Sequence, residues 1–517
     1  MKTSFIETEP TITSGVTDSF WVSNTSPMVF SPLSRDITVD VAIIGGGIAG
    51  MSVAYFLSRQ GKKVAVIDDG VIGSGESGRT TAHLTYALDE RYYELENLHG
   101  RDGAKLIAES HNAAIDHIES IVRKENISCD FERVDGYLFR SGEDSEEEPL
   151  NKELDTLSRI GRKEVRLVKE SPAPFHTGIC LHFPLQGQFH PLKYLSGLAQ
   201  AIIQRGGKIF TGTHAKDFNA SGITTDTNYT INAHDIVVTT NTPVNDRLQM
   251  HTKQTPYRTY VIGARIPKDS VTKALYWDTS KNMGGVANPY HYVRIQPVDE
   301  TNDLLIVGGE DHKVGQAYNN AYEKIEQWTK ERFPMIKNIP YRWSGHIIEP
   351  MDSTGFIGRN PLDKTVYIAT GFSGNGMTHG TIAGILISDL ILEKKNPWAD
   401  IYDPARKSFF AVKEYFEENL NVVKQYTEWL KKGDISSTDE LASGQGAVMR
   451  KKLSKVAVYR DEQGIVHEFS AVCPHLGCII RWNPKEKTFD CPCHGSRFTN
   501  YGKVITGPSN RDLNKLV

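Results

Sequence analysis

Two short boxes near the C-terminus hold the residues best suited to chemistry: CPHLGC at 473–478 and CPCHGS at 491–496. The first offers Cys473 and His475, the second Cys491 and His494, so each box brings one thiol and one imidazole. A structural zinc site usually takes its cysteines as C-x₂₋₄-C and its histidines as H-x₃₋₅-H. One Cys and one His per box suits instead a [2Fe–2S] cluster whose irons are ligated unequally, one by two thiolates and the other by two imidazoles. A second candidate centre begins at residues 39–44, VDVAII, a β-branched run that reads as a buried parallel strand. It runs directly into Gly45-Gly46-Gly47-Ile48-Ala49-Gly50 and a helical pattern over 51–60. Gly45 permits a tight turn, Gly47 lets backbone approach a pyrophosphate, and Gly50 allows close helix packing; the helix N-terminus supplies amides and partial positive charge. A second strand at 63–67 ends in Asp68, eighteen residues past Gly50, where an acid can meet a ribose hydroxyl.

The C-terminal boxes resemble the Rieske proteins, in particular the disulfide-bearing type of quinol-oxidising complexes. That resemblance gives Cys473, His475, Cys491 and His494 as cluster ligands and Cys478 with Cys493 as a disulfide clamping the two loops. Ser496 stands where that type places a hydroxyl on a cluster sulfide, and Gly507-Pro508 resembles its proline loop. Phe498 stands where high-potential members carry Tyr, removing a donor near sulfur, so the expected potential falls below the top of the roughly −150 to +300 mV Rieske range.

The segment Gly73-Ser74-Gly75-Glu76-Ser77-Gly78-Arg79-Thr80-Thr81 resembles the second glycine-rich stretch of the glycine oxidase and D-amino acid oxidase family of flavoproteins. The resemblance implies FAD, with Ser77, Arg79 and Thr80 at phosphate or flavin edge. The spacing of nearby His83 does not align with the family's covalent attachment point. Gly371-Phe372-Ser373-Gly374-Asn375-Gly376-Met377 resembles the family's last cofactor loop, which adds Gly374, Gly376 and Met377. A helix N-terminus there would stabilise anionic reduced flavin. Substrate candidates are Tyr257, Tyr290, His291 and Arg294; Arg294 is the first choice to pair a substrate carboxylate, a bidentate task suited to guanidinium. Glu310-Asp311-His312 reads as a solvated turn, with an acid/base cluster as the alternative, and Cys129 and Cys180 read as buried thiols.

The expected architecture is α/β plus β: a Rossmann-type FAD-binding domain with an inserted mixed-sheet substrate domain, then a small all-β Rieske domain. A length of 517 residues suits about three domains, and 39% hydrophobic with 24% charged residues is ordinary globular composition. The divisions fall at an arm over 1–35, where Trp21 is expected to pack, and an oxidoreductase over 36–403. Its FAD part takes about 36–90, 190–245 and 341–403, and its substrate part 91–189 and 246–340. A helix and linker follow over 404–446 and the Rieske domain over 447–517. The 404–433 helix carries Val412, Phe416, Leu420, Val423, Tyr426 and Leu430 on one face and reads as a docking helix. Lys and Glu mix on its other face, unlike a membrane-surface helix.

A net charge of −4 without a long Lys/Arg run leaves no footprint for nucleic acid. No apolar run approaches a membrane span and the N-terminus lacks a signal-peptide pattern, so the expected location is cytoplasmic, with peripheral membrane attachment left open. The expected function is oxidation of an amine or amino acid by FAD. Its electrons then pass through the cluster to an external quinone, cytochrome or O₂. The alternatives are an oxidase whose Rieske module is a redox sensor or docking module, and a current running from the cluster to the flavin.

Overall fold

The computed structural model describes residues 15–140, 148–219, 221–243, 250, 252–279, 290–316, 320–361, 363–406, 422 and 424–516. The β-branched run of the sequence forms strand Ile37–Ile44, whose Val41, Ala42 and Ile43 have no exposure, as a strand covered on both faces requires. It pairs in parallel with Val64–Ile67 on one side and Thr230–Val238 on the other. Lys208–Phe210 extends one edge and Val366–Thr370 the other, both parallel, and antiparallel Phe356–Arg359 ends the sheet. Helices Ile48–Ser58, Pro191–Gln204 and Gly376–Ile391 bury their apolar residues on this sheet and on each other. This is the expected Rossmann-type layer.

The second sheet has nine strands. Asn338–Pro350, Gln254–Pro267, Asn302–Lys313, His291–Pro297, Leu275–Asp278, Glu132–Phe139, Cys180–Gln188 and His83–Leu84 follow in that order, and Arg166–Val168 pairs beside Cys180–Gln188. Leu275–Asp278 and Glu132–Phe139 run parallel while their neighbours are antiparallel, so the sheet is mixed as expected. The boundary expected at 341 falls inside a strand: Tyr341 lies opposite Gly263, and pairing continues to Pro350 opposite Gln254. The chain regains the nucleotide sheet only at Phe356. Glu310-Asp311-His312, expected as a solvated turn, ends strand Asn302–Lys313 instead, with Asp311 buried. A long helix, Tyr92–Lys124, is broken at Gly100, where φ is 71°. Trp21 packs as expected, with no exposure and its Nε1 donating to Thr80 O at 2.6 Å.

The C-terminal module has a three-stranded antiparallel sheet, Gln445–Lys451, Ser454–Arg460 and Val466–Ser470. A four-stranded one follows, Arg481–Asn483, Thr488–Asp490, Arg497–Thr499 and Val504–Thr506. Of the expected docking face, Val412, Phe416, Leu420 and Val423 lie outside the described residues. Beyond them, Val422 and Trp429 pack on this module's core, Tyr426 Oη donates to Leu476 O at 2.7 Å and Trp429 Nε1 to Gly477 O at 3.2 Å.

The module is fastened to the flavoprotein through Glu486, whose side chain has no exposure. Arg79 Nη1 lies 3.9 Å and Arg258 Nη2 3.5 Å from its carboxylate, and Ser344 and Thr17 hydroxyls donate to it. Burial pushes the carboxyl's pKa up, but Arg258, Arg79 and Arg497 outweigh burial and hold it below the usual carboxylate range. Gln316 Nε2 donates to Pro492 O at 3.3 Å, Arg481 to Gly315 O at 2.9 Å, and Lys485 pairs with Glu323 at 2.9 Å on the rim.

Stripping one partner from a buried ion pair leaves an uncompensated charge, so Glu486→Ala is expected to cost about 3–5 kcal/mol, read as a lowered first transition in denaturant unfolding. The sign with pH follows from the lowered pKa. The contact is at full strength above the unfolded carboxyl's pKa of about 4.3 and is lost as pH falls through the lower folded value. Limited proteolysis between the modules is therefore expected to begin only below about pH 4.

Candidate functional site

A cavity of about 300 Å³ lies between the two large sheets and the C-terminal module. The glycine turn forms one end. Gly45 adopts φ 108°, and a Cβ on Gly50 would stand 2.0 Å from Gly45 O, so the strand can pass into the helix only with glycine there. Gly45, Gly47 and the start of helix Ile48–Ser58 line the cavity. Ser77 lines it too, with Oγ accepting from Ile48 N at 2.9 Å. Asp68 accepts from Gly46 N at 2.7 Å and Gly70 N at 2.8 Å while also lining the cavity. Burial, with Asp69 adding, pushes the Asp68 carboxyl up to about 7 against those two amides. Thr80, Gly374, Gly376 and Met377 line the cavity, and Gly376 and Met377 open helix Gly376–Ile391 onto it. A cradle that a Cβ would fill, a helix N-terminus and an acid at the second strand's end fit a dinucleotide.

Arg79 lines the cavity, but its guanidinium is turned to the C-terminal module. It donates to Ser344 O at 2.8 Å and to the Thr17 hydroxyl and Gly15 carbonyl at 3.1 Å, and it faces Glu486. Sequence reasoning placed it on phosphate or flavin; its partner, 407 positions away, supplies the reason it turns.

The substrate candidates separate. Arg294, expected to face a substrate carboxylate, has no exposure and does not line the cavity. It donates to Ala82 O and Phe189 O at 3.0 Å and to Gln296 Oε1, and sits over the Trp21 ring. His291 is also outside the lining: its backbone N–H and Nδ1 meet Asp278, and its ring stacks on Trp328 at 4.3 Å. Tyr257 is buried beside Lys313 and outside the lining as well. Tyr290 does line the cavity, joined by Tyr292, Trp277, Thr259, His83 and Asp89, which sequence reasoning did not select as substrate groups. Alternation from Tyr290 points Tyr292 the same way and His291 the other, a signal present in the sequence. Tyr290 Oη donates to Asp89 and Tyr292 Oη meets Thr259 Oγ1. Burial pushes the Asp89 carboxyl up, and burial with Arg294 pushes His83 down to about 3, so His83 stays neutral.

At the C-terminal boxes two tight turns face each other. Gly477 N donates to Cys473 O at 3.0 Å and Gly495 N to Cys491 O at 3.1 Å. Cys473 and Cys491 are buried and stand outside the disulfide, and the His475 and His494 rings stand 5.0 Å apart at 89°. Cys478 and Cys493 form the disulfide, with Cα atoms 6.4 Å apart. Cys478, Cys491 and Cys493 come close enough to share an ion, but two of them are joined to each other. That leaves Cys473 and Cys491 with the paired imidazoles, a donor set that fits a [2Fe–2S] cluster ligated unequally. Ser509 N donates to Ser496 Oγ at 3.0 Å, tying the Gly507-Pro508 loop to the second box, and the Gly507–Pro508 bond is cis.

Fold and site define a flavin-dependent oxidoreductase joined to an iron–sulfur domain. Residues 40–390 match the family of FAD dependent oxidoreductases and residues 431–516 the Rieske [2Fe-2S] domain, and the chain belongs to that FAD dependent oxidoreductase family, with a C-terminal Rieske domain. A Bacillus subtilis protein named as a Rieske 2Fe-2S iron-sulfur protein, YhfW, is 32% identical over 508 residues, covering 96% of this chain and 97% of that one. Gamma-glutamylputrescine oxidoreductase of Escherichia coli is 25% identical over 388 residues, covering 72% of this chain and 89% of that one. Glycine oxidase from Geobacillus kaustophilus shares the fold with a TM-score of 0.60 at 18% identity, covering 72% of this chain and 99% of that one. FAD and a [2Fe–2S] cluster are the cofactors. No helix among the described residues is long and apolar enough to cross a membrane.

Gly50→Ala drives a methyl into Gly45 O, an overpacking worth about 1–3 kcal/mol, and is expected to yield protein with a reduced flavin-to-protein absorbance ratio. Cys473→Ser is expected to abolish the reduced-state cluster signal in electron paramagnetic resonance while flavin absorbance persists.

Proposed function

We propose that this protein oxidises an amine or amino acid and delivers the electrons through its Rieske domain to an external acceptor, a quinone, cytochrome or O₂. The observation that carries this reading is the contact between the second cluster loop and the cavity wall. A Cβ on Gly495, next to His494, would stand 2.5 Å from Pro256 and 2.9 Å from His346 Nε2, and His346 lines the cavity. FAD, when bound, supplies two-electron acceptance from a C–H beside nitrogen, and the cluster supplies one-electron relay.

The chain's own groups prepare that chemistry. Burial, with Arg497 and Arg258, holds His346 far below the usual histidine range, so its imidazole, in the wall between cavity and cluster loop, is uncharged at neutral pH. Burial, with Asp89, keeps the Tyr290 hydroxyl protonated; it donates to Asp89 and presents lone pairs that can accept from a substrate ammonium. Tyr292 stands beside Tyr290 with ring centroids 5.6 Å apart, and Tyr292 and Trp277 both line the cavity. The relative named gamma-glutamylputrescine oxidoreductase supports an amine as the substrate class.

Anaerobic screening of amines and amino acids, following flavin absorbance and the cluster signal together, tests the reading. A substrate that bleaches flavin and then raises the reduced-cluster signal is expected. Full peroxide stoichiometry in air with the cluster never reduced would overturn it in favour of an oxidase. Phe498 has no exposure beside the cluster loops, and Phe498→Tyr restores a donor near sulfur; it is expected to raise the cluster's potential in a redox titration.

A further inference from the structure

The cavity that fits FAD is not enclosed by the flavoprotein alone. Val504, Ile505, Thr506, Gly507, Ser509 and Asn510 of the Rieske domain line it, together with Asp68, Asp69, Thr213 and His214 of the nucleotide domain. We propose that the Rieske domain is a structural wall of the FAD site, and that the buried Glu486 contact is a latch holding FAD in place. This goes beyond electron relay, and would hold even if the cluster passed no electrons.

The loop is built to keep its shape. Ser509 N is tied to Ser496 Oγ at 3.0 Å, Val504 N donates to Asp512 Oδ1 at 2.9 Å, and Leu513 N donates to Gly502 O at 2.8 Å. His214 in the cavity wall pairs with Asp69 at 3.4 Å, and Asp512 adds to the field that raises its pKa, so the Rieske loop lies within electrostatic reach of the nucleotide domain's strand ends. Elsewhere in the same module Glu486 meets Arg79, Arg258, Ser344 and Thr17. Arg79 lies in the second glycine-rich stretch and itself lines the cavity, so one ion pair ties the cofactor loop, the N-terminal arm and the Rieske domain together. Opening the cavity along this wall exposes a carboxylate and two guanidiniums that now face each other.

The test follows loss of bound flavin from the full-length protein during timed gel filtration, with the reduced-cluster signal read on every sample. Glu486→Ala is expected to lose FAD at least about tenfold faster than the parent while keeping the cluster signal. Thr506→Trp leaves the latch intact and pushes an indole into the shared wall; it is expected to lower FAD content at purification with the cluster signal unchanged. The second variant decides the matter if Glu486→Ala loses its cluster signal through misfolding. Parental FAD content and release in Thr506→Trp would overturn the wall, and parental release in Glu486→Ala with an intact cluster would overturn the latch.

Discussion

One fully buried carboxylate, that of Glu486, holds this molecule in register. Moving an ion of that size out of water is costly, and the attraction of a partner offsets the cost only when geometry is good and the remaining lone pairs are used. Glu486 meets both conditions, with two guanidiniums within 4 Å and two hydroxyl donors. Its partners come from the arm and from the flavoprotein, so the contact exists only when arm, flavoprotein and Rieske domain are all in place. Such a contact contributes less to net stability than to uniqueness: any displaced docking would leave Arg79 and Arg258 buried and uncompensated.

That registration brings the second cluster loop against Pro256 and His346, and the 504–510 loop into the cavity wall. The two consequences share a cause. Gly495 has φ 80°, and no Cβ fits between it and Pro256, so the turn that presents His494 is also the turn that touches the flavoprotein. A separate linker contact, Tyr426 and Trp429 on the first cluster loop, steadies the other half of the centre.

The parts legible in the sequence are those whose chemistry is local. The glycine turn, the strand ending in Asp68, both cluster boxes and the Cys478–Cys493 disulfide each depend on residues within a few dozen positions, and their types announce the job. Arg294 and Arg79 were illegible because a guanidinium's role depends on which carbonyls or carboxylates surround it. Arg294 ends among Ala82, Phe189 and Gln296, and Arg79 opposite Glu486. The boundary at 341 failed for a related reason: Asn338–Pro350 alternates like any strand, and only its long pairing with Gln254–Pro267 assigns it to the second sheet. Tyr292 was within reach, since its spacing from Tyr290 fixes its face once the strand is accepted.

The six cysteines complete the argument about burial. Cys129 and Cys180 are buried and their thiols pushed up to about 12, chiefly by desolvation, so they hold little thiolate at neutral pH and neither attack nor exchange. Cys478 and Cys493 are 1% and 4% exposed within the Rieske core. Reduction of a disulfide proceeds by thiolate attack along the sulfur–sulfur axis, and an outside thiol has no approach to sulfurs so covered. The bridge can therefore persist beside reducing thiols through inaccessibility alone. The disulfide and the thiols of Cys129 and Cys180 coexist in one chain because burial leaves those thiols protonated and the bridge out of reach.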